Sequence, residues 1–376
     1  MNKKLLALAV AGATLAPAAM AQTANPVTLY GRMFVMFENV KADGGAAVPV
    51  GSRNRVNSNG SSLVGVRGTE DLGGGLKAFF QWETEVRLEQ NDSPFSTRNS
   101  AVGLQGAFGS VLLGRWDTPF KLANASLDPF GDTTLAGYTS AMSDRGNFNR
   151  REQNVVQYWS PTWSGFALRA SYSANEGKTA TVNPVVTSLS ATYTQGPIYL
   201  STAWEKHKDI FKSYANYNVI TGSGLGAAFN GVANPLSGAD ETGMSLAGHV
   251  TFGAVRVGGL IQKFKKNGGG NTRTSDQKSQ MFNIIYTAGK NQFVYQMQRS
   301  KDGATRATAA TALTEPDTKV NSLGYYYNFS RRTSLIAVYT QTKNNTAGLG
   351  NFGANTLTIG ADQDPRGFAI GLRHTF

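Results

Sequence analysis

Histidine is the side chain that most often moves protons in catalysis, and this chain has three, His207, His249 and His374. None stands beside a companion nucleophile motif. A Gly-x-Ser-x-Gly turn is missing, and the absence of cysteine removes thiol nucleophiles, disulfides and thiolate metal sites. Glu83 and Glu85 put two carboxylates on one face of an extended run, but an ordinary polar strand face accounts for them as well. Gly222-Ser223-Gly224-Leu225-Gly226 has the glycines of a phosphate cradle without the full spacing or the following helix. These residues argue against an enzyme and against a bound cofactor or metal. What remains is fixed charge, with 36 Lys and Arg against 24 Asp and Glu. A basic chain suits nucleic acid, an anionic membrane or small anions. Nucleic-acid binders cluster such residues on one face or helix. Here they are scattered, often one to a strand, which excludes nucleic acid and suits a basic interior.

The elements that position these charges begin after a secretory signal. Lys3 and Lys4, the apolar run Leu5 to Leu15 and the small-x-small site Ala19-Met20-Ala21 make residues 1–21 a cleavable export segment. Its apolar run falls short of the roughly 20 residues a spanning helix needs. Removal leaves residues 22–376 as one domain, uniform in composition, with 34 basic against 24 acidic residues and a net charge of +10. No later stretch reads as a spanning helix, and the other structure that satisfies every backbone group in lipid is a closed barrel.

Strand alternation supports the barrel. From Val27 to Glu38, Val27, Leu29, Met33, Val35 and Phe37 fall on one face, and Tyr30, Arg32 and Glu38 on the other. From Leu76 to Arg87, Leu76, Ala78, Phe80, Trp82 and Val86 alternate with Lys77, Gln81, Glu83, Glu85 and Arg87. Apolar-out, polar-in alternation over about 10 residues marks an outer-membrane strand. Sixteen such runs follow the signal. Short connections such as 195–197, 253–254 and 289–291 alternate with long polar ones at about 39–61, 174–187, 208–242, 266–277, 302–317 and 344–364. Aromatic residues near strand ends suit interfacial girdles. The expected fold is all-β: a 16-stranded antiparallel transmembrane β-barrel, wide enough for a water-filled lumen, with both termini on the periplasmic side of the outer membrane.

One connection stands apart. Asp117 to Arg150 runs 34 residues without a regular hydrophobic period and carries four Asp residues, Lys121, Arg145 and Arg150. A structureless connection this long inside a compact domain is usually functional. We read it as the third outer loop, folded inward to narrow the bore, with Asp128 and Asp132 as its acidic face. Phe120, Phe130, Tyr138 and Phe148 either anchor it to the wall or offer a slide to a sugar or acid.

The chain resembles the general porins of beta-proteobacteria and Neisseria. The residues that carry the likeness are Val27-Thr28-Leu29-Tyr30-Gly31, Gly68-Thr69-Glu70-Asp71-Leu72-Gly73-Gly74-Gly75-Leu76-Lys77-Ala78, Gly109-Ser110-Val111-Leu112-Leu113-Gly114-Arg115, Ser160-Pro161 with Gly165-Phe166, and the closing Gly371-Leu372-Arg373-His374-Thr375-Phe376. The resemblance implies a homotrimeric, passive channel. Anion-selective members carry arginines at the constriction, and by motif these match Arg98 and Arg151, while a third such position is Leu63 here. Arg67, or Arg53 and Arg55 upstream, are the residues available to replace that lost charge. Parity puts Arg151 on a lumen face. It puts Arg98 on the side of Val102 and Leu104, unless Arg98 precedes the regular strand or a bulge re-aims it. Arg32, Arg67, Lys77, Arg169 and Arg256 also fall on lumen faces, and Arg150 flanks Arg151. The expected constriction set is thus Arg98, Arg151, Arg150, Arg67, Arg32, Asp128 and Asp132. Rings of Arg favour anions, so the expected function is passive diffusion of small hydrophilic solutes with weak to moderate anion preference. The alternative is a substrate-selective channel for small organic acids or sugars. Expected partners are a homotrimer, outer-membrane lipid and lipopolysaccharide, and small hydrophilic, preferably anionic, solutes.

Overall fold

A computed structural model describes residues 26–45, 50–58, 62–90, 95, 97–131, 133–144, 147–174, 176–210, 235–267, 274–305 and 317–376. The export segment, Asp132, Arg145 and the glycine run at 222–226 lie outside them.

The described chain is nearly all strand: β1 (Val27–Asp43), β2 (Val50–Asn57), β3 (Leu63–Gly73), β4 (Leu76–Glu85), β5 (Ser100–Gly106), β6 (Gly109–Asp117), β7 (Arg151–Trp159), β8 (Phe166–Ser173), β9 (Val185–Gln195), β10 (Ile198–Ile210), β11 (Pro235–Phe252), β12 (Val255–Asn267), β13 (Thr274–Ala288), β14 (Asn291–Thr305), β15 (Asp317–Asn328), β16 (Thr333–Asn344) and β17 (Asp364–Thr375). β1 pairs antiparallel with both β2 and β3, each later strand pairs antiparallel with the next from β3 to β17, and β1 pairs with β17, which closes the sheet. β2 and β3 are two segments of one stave: β2 faces β1 from Met36 to Ala42, and β3 faces it from Val27 to Arg32. The seventeen segments therefore make sixteen staves.

The connection expected at 39–61 is mostly strand. β1 continues to Asp43, and Val50–Asn57 pairs with it. The run Val50-Gly51-Ser52-Arg53-Asn54-Arg55 is polar on both faces and largely exposed, so period-2 hydrophobicity gives no signal there. The ambiguous parity at 110–116 has a physical cause: the β6–β7 register shifts between Gly114 and Trp116, as a bulge requires.

Outward positions are apolar and uncovered, as in Leu29, Leu246 and Leu323 at 63%, 57% and 57% exposure. The short turns, the start of β1 and the end of β17 share one rim. β1 begins there, and Phe376 exchanges backbone hydrogen bonds with Gly31, each at 3.0 Å. A Cβ on Gly31 would lie 2.5 Å from the Phe376 ring. The glycine of the opening motif and the terminal aromatic are thus one contact, which seals the seam.

The connection after β6 enters the barrel. It starts with helix α1 (Pro119–Ala125), whose N-cap Thr118 accepts a hydrogen bond from the Lys121 amide, with Pro119 in the first turn. A 3-10 turn follows at Tyr138–Ser140. Phe120, Phe130, Tyr138 and Phe148 are all buried, so they anchor the segment and offer no slide. Phe120 and Phe148 pack with Phe264 of β12, and Tyr138 with Leu127, Met142, Leu260 and Met281. Inward apolar residues on β12 and β13 thus face this segment, and that is why parity at 278–288 is ambiguous in the sequence.

Candidate functional site

Buried backbone groups need partners, and the polar inner wall supplies them to the inserted segment. The Phe120 amide donates to Ser188 Oγ on β9 at 3.0 Å, and Tyr199 and Ser201 on β10 donate to the Ala123 carbonyl. Asn283 of β13 donates to the Leu127 carbonyl and Tyr326 of β15 to that of Pro129. On the return, Gln296 donates to the Ala136 carbonyl, the Ala141 amide donates to Gln298, and the Ser143 amide donates to Gln262. The segment runs out along the wall from β9 to β15 and returns to β12. It fills that side of the bore and, with Phe130 and Leu135, also covers Phe34 and Met36 of β1; the wall from the start of β1 through β3–β7 is the passage side.

The returning limb ends in a buried ionic cluster. His207 lies between Glu205 (Nε2–Oε1, 2.8 Å) and Glu241 (Nδ1–Oε2, 3.0 Å), with the Phe148 ring stacked on it at 4.3 Å. Asn147 donates to Glu241 at 2.7 Å and to Asp144 at 3.1 Å, and Asp144 pairs with Lys266. Arg150 belongs here: it is buried and paired with Glu152. Burial opposes its charge, but Glu152, Glu205 and Glu241 outweigh that and raise its pKa above the ordinary arginine value. Arg150 therefore departs from its expected place on the passage, because the loop end folds over it. His207, with carboxylates on both sides, has the polar groups of an acid–base centre but no exposure to solvent.

On the passage side two basic groups stand on the wall. In the first, Tyr30 of β1 donates to Glu83 of β4 at 2.9 Å, the Arg67 guanidinium lies 4.8 Å from the centre of the Tyr30 ring, and Arg98 Nε is 3.8 Å from Glu83 Oε2. Arg98 precedes β5, and its amide donates to the Glu83 carbonyl. That resolves its parity, since strand alternation begins only at Ser100. Arg32 follows Tyr30 on the same face of β1. In the second group, Arg151 Nε donates to Asn99 Oδ1 at 2.6 Å and its Nη2 sits 3.1 Å from Asp117 Oδ1, which Lys121 also meets at 3.1 Å. Asn99 donates in turn to Asp117 at 3.0 Å. Arg98 and Arg151 thus come together through consecutive residues, Arg98 and Asn99.

Asp128 spends its carboxylate on the loop itself, accepting from the Phe130 amide and, at 3.0 Å, from the Tyr138 amide. Of the residues considered as replacements for the Leu63 position, Arg55 is tied to Glu38 at 2.6 Å and to the Asn355 carbonyl. Sequence reasoning missed Asp117, Asn99 and Lys121 as the partners that orient Arg151. It also missed that the segment 345–363 folds inward. Gly353 and Ala354 amides donate to the Leu135 and Thr134 carbonyls at 3.0 and 3.1 Å, and Thr139 donates to the Gly353 carbonyl. Phe352 and Leu357, apolar in an otherwise polar stretch, are buried there with Phe34 and Met36, and they were the available signal.

A closed barrel with an apolar outer belt, a basic inner wall and a loop folded into its bore is a passive diffusion channel of the outer membrane. The chain belongs to the Gram-negative porin family, whose model matches residues 7–347. It is 30% identical over 393 residues to outer membrane porin protein 32 of Delftia acidovorans, covering all of both chains. It is 27% identical over 434 residues to major outer membrane protein P.IA of Neisseria meningitidis, again over the full length of both. Among solved structures it is similar to an anion-selective porin from Comamonas acidovorans, with a TM-score of 0.74 and 25% identity, covering 94% of this chain and 100% of that one.

Proposed function

We propose that this porin prefers small anions, and that Arg32, Arg67, Arg98 and Arg151 supply the preference. The observation that carries the proposal is the grouping of Arg67 and Arg98 around the Tyr30–Glu83 pair, with Arg151 joined to the same wall through Asn99. A low-dielectric lumen focuses the field of charge at its narrow part. Arginine is always charged and weakly hydrated, so a permeating anion meets fixed positive charge at little desolvation cost. Glu83 and Asp117 offset part of that charge, which keeps binding weak enough for release and favours moderate selectivity. The anion-selective neighbour supports the same reading. In this proposal the chain is exported by a signal cleaved after Ala21, keeps both termini in the periplasm and its long loops outside, assembles as a homotrimer, and meets lipopolysaccharide at its outer rim. Asp132 is retained as a candidate acidic group on the loop.

Reversal potentials in planar bilayers under a salt gradient test the preference. Anions should permeate more readily, and the pair Arg67→Gln with Arg98→Gln should bring the ratio toward one. Cation selectivity in the parent chain would overturn the proposal.

A further inference from the structure

The returning limb of the inserted segment is fastened at a histidine. His207 is buried on β10, and two acceptors face its ring. Glu205 stands two residues earlier on the same face of the strand, and Glu241 stands directly opposite on β11. Nε2 meets Glu205 Oε1 at 2.8 Å, and Nδ1 meets Glu241 Oε2 at 3.0 Å. A neutral imidazole has one N–H and one lone pair. Held here, it satisfies one carboxylate and turns its lone pair on the other. The imidazolium donates to both.

The same groups hold the limb. Asn147 donates at 2.7 Å to the Glu241 oxygen that also meets His207. The Phe148 ring stacks on the imidazole at 4.3 Å, with 17° between the planes. Gly243, opposite Glu205, makes the recess for that ring: a Cβ there would lie 2.7 Å from it. A cation beside an aromatic face is attracted to it. Protonation of His207 therefore strengthens the stacked contact and keeps Glu241 in place for Asn147.

The outward face of β10 passes from Trp204 to Lys206 and Lys208, so His207 lies on the long-loop side of the apolar belt. The other charged groups of the cluster, among the described residues, are Arg150 and Glu152 at the loop end and Asp144 with Lys266 of β12. Burial opposes the imidazolium, and Arg150 does so too, but the hydrogen bonds to Glu205 and Glu241 prevail and hold the His207 pKa above the ordinary 6.5. Burial disfavours the Glu241 charge as well, yet His207, Lys266 and Asn147 bring its pKa down to about 2. Stability from a group of raised pKa is complete below the ordinary value, here 6.5, and is lost as pH rises through the raised one. Acid leaves the fastening intact until Glu241 itself takes up a proton.

We infer that His207 is a proton-operated clasp on the inserted segment: as the imidazolium it pins Asn147 and Phe148 to β10 and β11, and its deprotonation in alkaline medium frees that limb to move in the bore. The clasp needs the chain to be a channel and is independent of which ion the channel prefers.

Single-channel records of the full folded chain in planar bilayers, from about pH 6 to about pH 10, read the clasp as current noise and substates. In the parent the loosened fraction should be constant at the acid end, then rise about tenfold per pH unit until the raised pKa is passed. His207→Gln should be noisy throughout, with no rise. Glu205→Gln should move the rise to lower pH, because one of the two carboxylates that hold the proton is gone. His249→Gln and His374→Gln should keep the parental curve. Histidine-selective NMR in detergent micelles, with the three histidines assigned by these variants, should put the His207 midpoint where the rise levels off. Noise that is flat with pH in the parent, a rise that survives His207→Gln, or a His207 midpoint at or below the ordinary histidine value overturns the clasp. If His207→Gln fails to fold, an unshifted rise in Glu205→Gln overturns it alone. Absence of conductance at every pH is the separate failure of the channel reading.

Discussion

Arg32 stands directly across from Leu63 in the register that joins β1 to β3. The position that resemblance assigned to an arginine is thus apolar, and its cross-strand neighbour is cationic. Cβ atoms of directly opposed residues lie about 5 Å apart, so a guanidinium from β1 reaches nearly the same part of the wall.

This relationship predicts that Arg32→Gln lowers anion preference and Leu63→Arg raises it. A unit charge ~6 Å from an ion contributes about 0.7 kcal/mol at the dielectric of water, roughly a threefold change in permeability ratio. Reversal potentials of the two variants check both directions. An unchanged ratio in Arg32→Gln would remove Arg32 from the selectivity set.

The seam gives a second prediction. Gly31→Ala forces a methyl group against the Phe376 ring, which a Cβ would approach to 2.5 Å. Overpacking of this kind costs typically ~1–3 kcal/mol. The variant should unfold at lower denaturant in detergent, and Phe376→Ala should recover part of the loss, the remainder staying with the Leu63 carbonyl, 2.7 Å from the same Cβ. A double variant no more stable than Gly31→Ala alone would show that the ring is not the obstacle.

Truncating the anchor of the inserted loop tests what holds it. The Phe148 ring stacks on His207 and packs against Phe120 and Phe264 at 5.6 and 4.7 Å. Phe148→Ala should cost ~3–5 kcal/mol of local packing and free the returning limb. Single-channel records should show added current noise and substates. A quiet channel of parental conductance would mean that the hydrogen bonds to the wall suffice.

The ionic cluster provides a fourth. Lys266→Met leaves Asp144 buried without its cation, and removing one member of a buried pair typically destabilises by ~3–5 kcal/mol. Adding Asp144→Asn should recover part of that loss. Thermal unfolding of the single and double variants measures the coupling.

The sequence made the lipid-facing half of the barrel legible, because lipid imposes period-2 hydrophobicity on staves such as Leu76–Glu85. It was silent where that constraint lapses. Val50–Asn57 stands in water on both faces and so reads as loop. Phe34 and Met36 point inward, yet they are apolar because Phe130, Leu135, Phe352 and Leu357 cover them. The arginines were visible, but their partners were not: the contacts of Arg98 with Glu83 and of Arg151 with Asp117 join residues distant in sequence, and Arg150 differs from Arg151 only in which side of the loop end it meets.

Leu135 and Gly353 belong to segments more than two hundred residues apart, yet their backbones are hydrogen-bonded. The connection before β17 and the loop inserted after β6 therefore share a mechanical handle. Displacing 345–363 would strain the same backbone bonds that hold Thr134 and Leu135 in place.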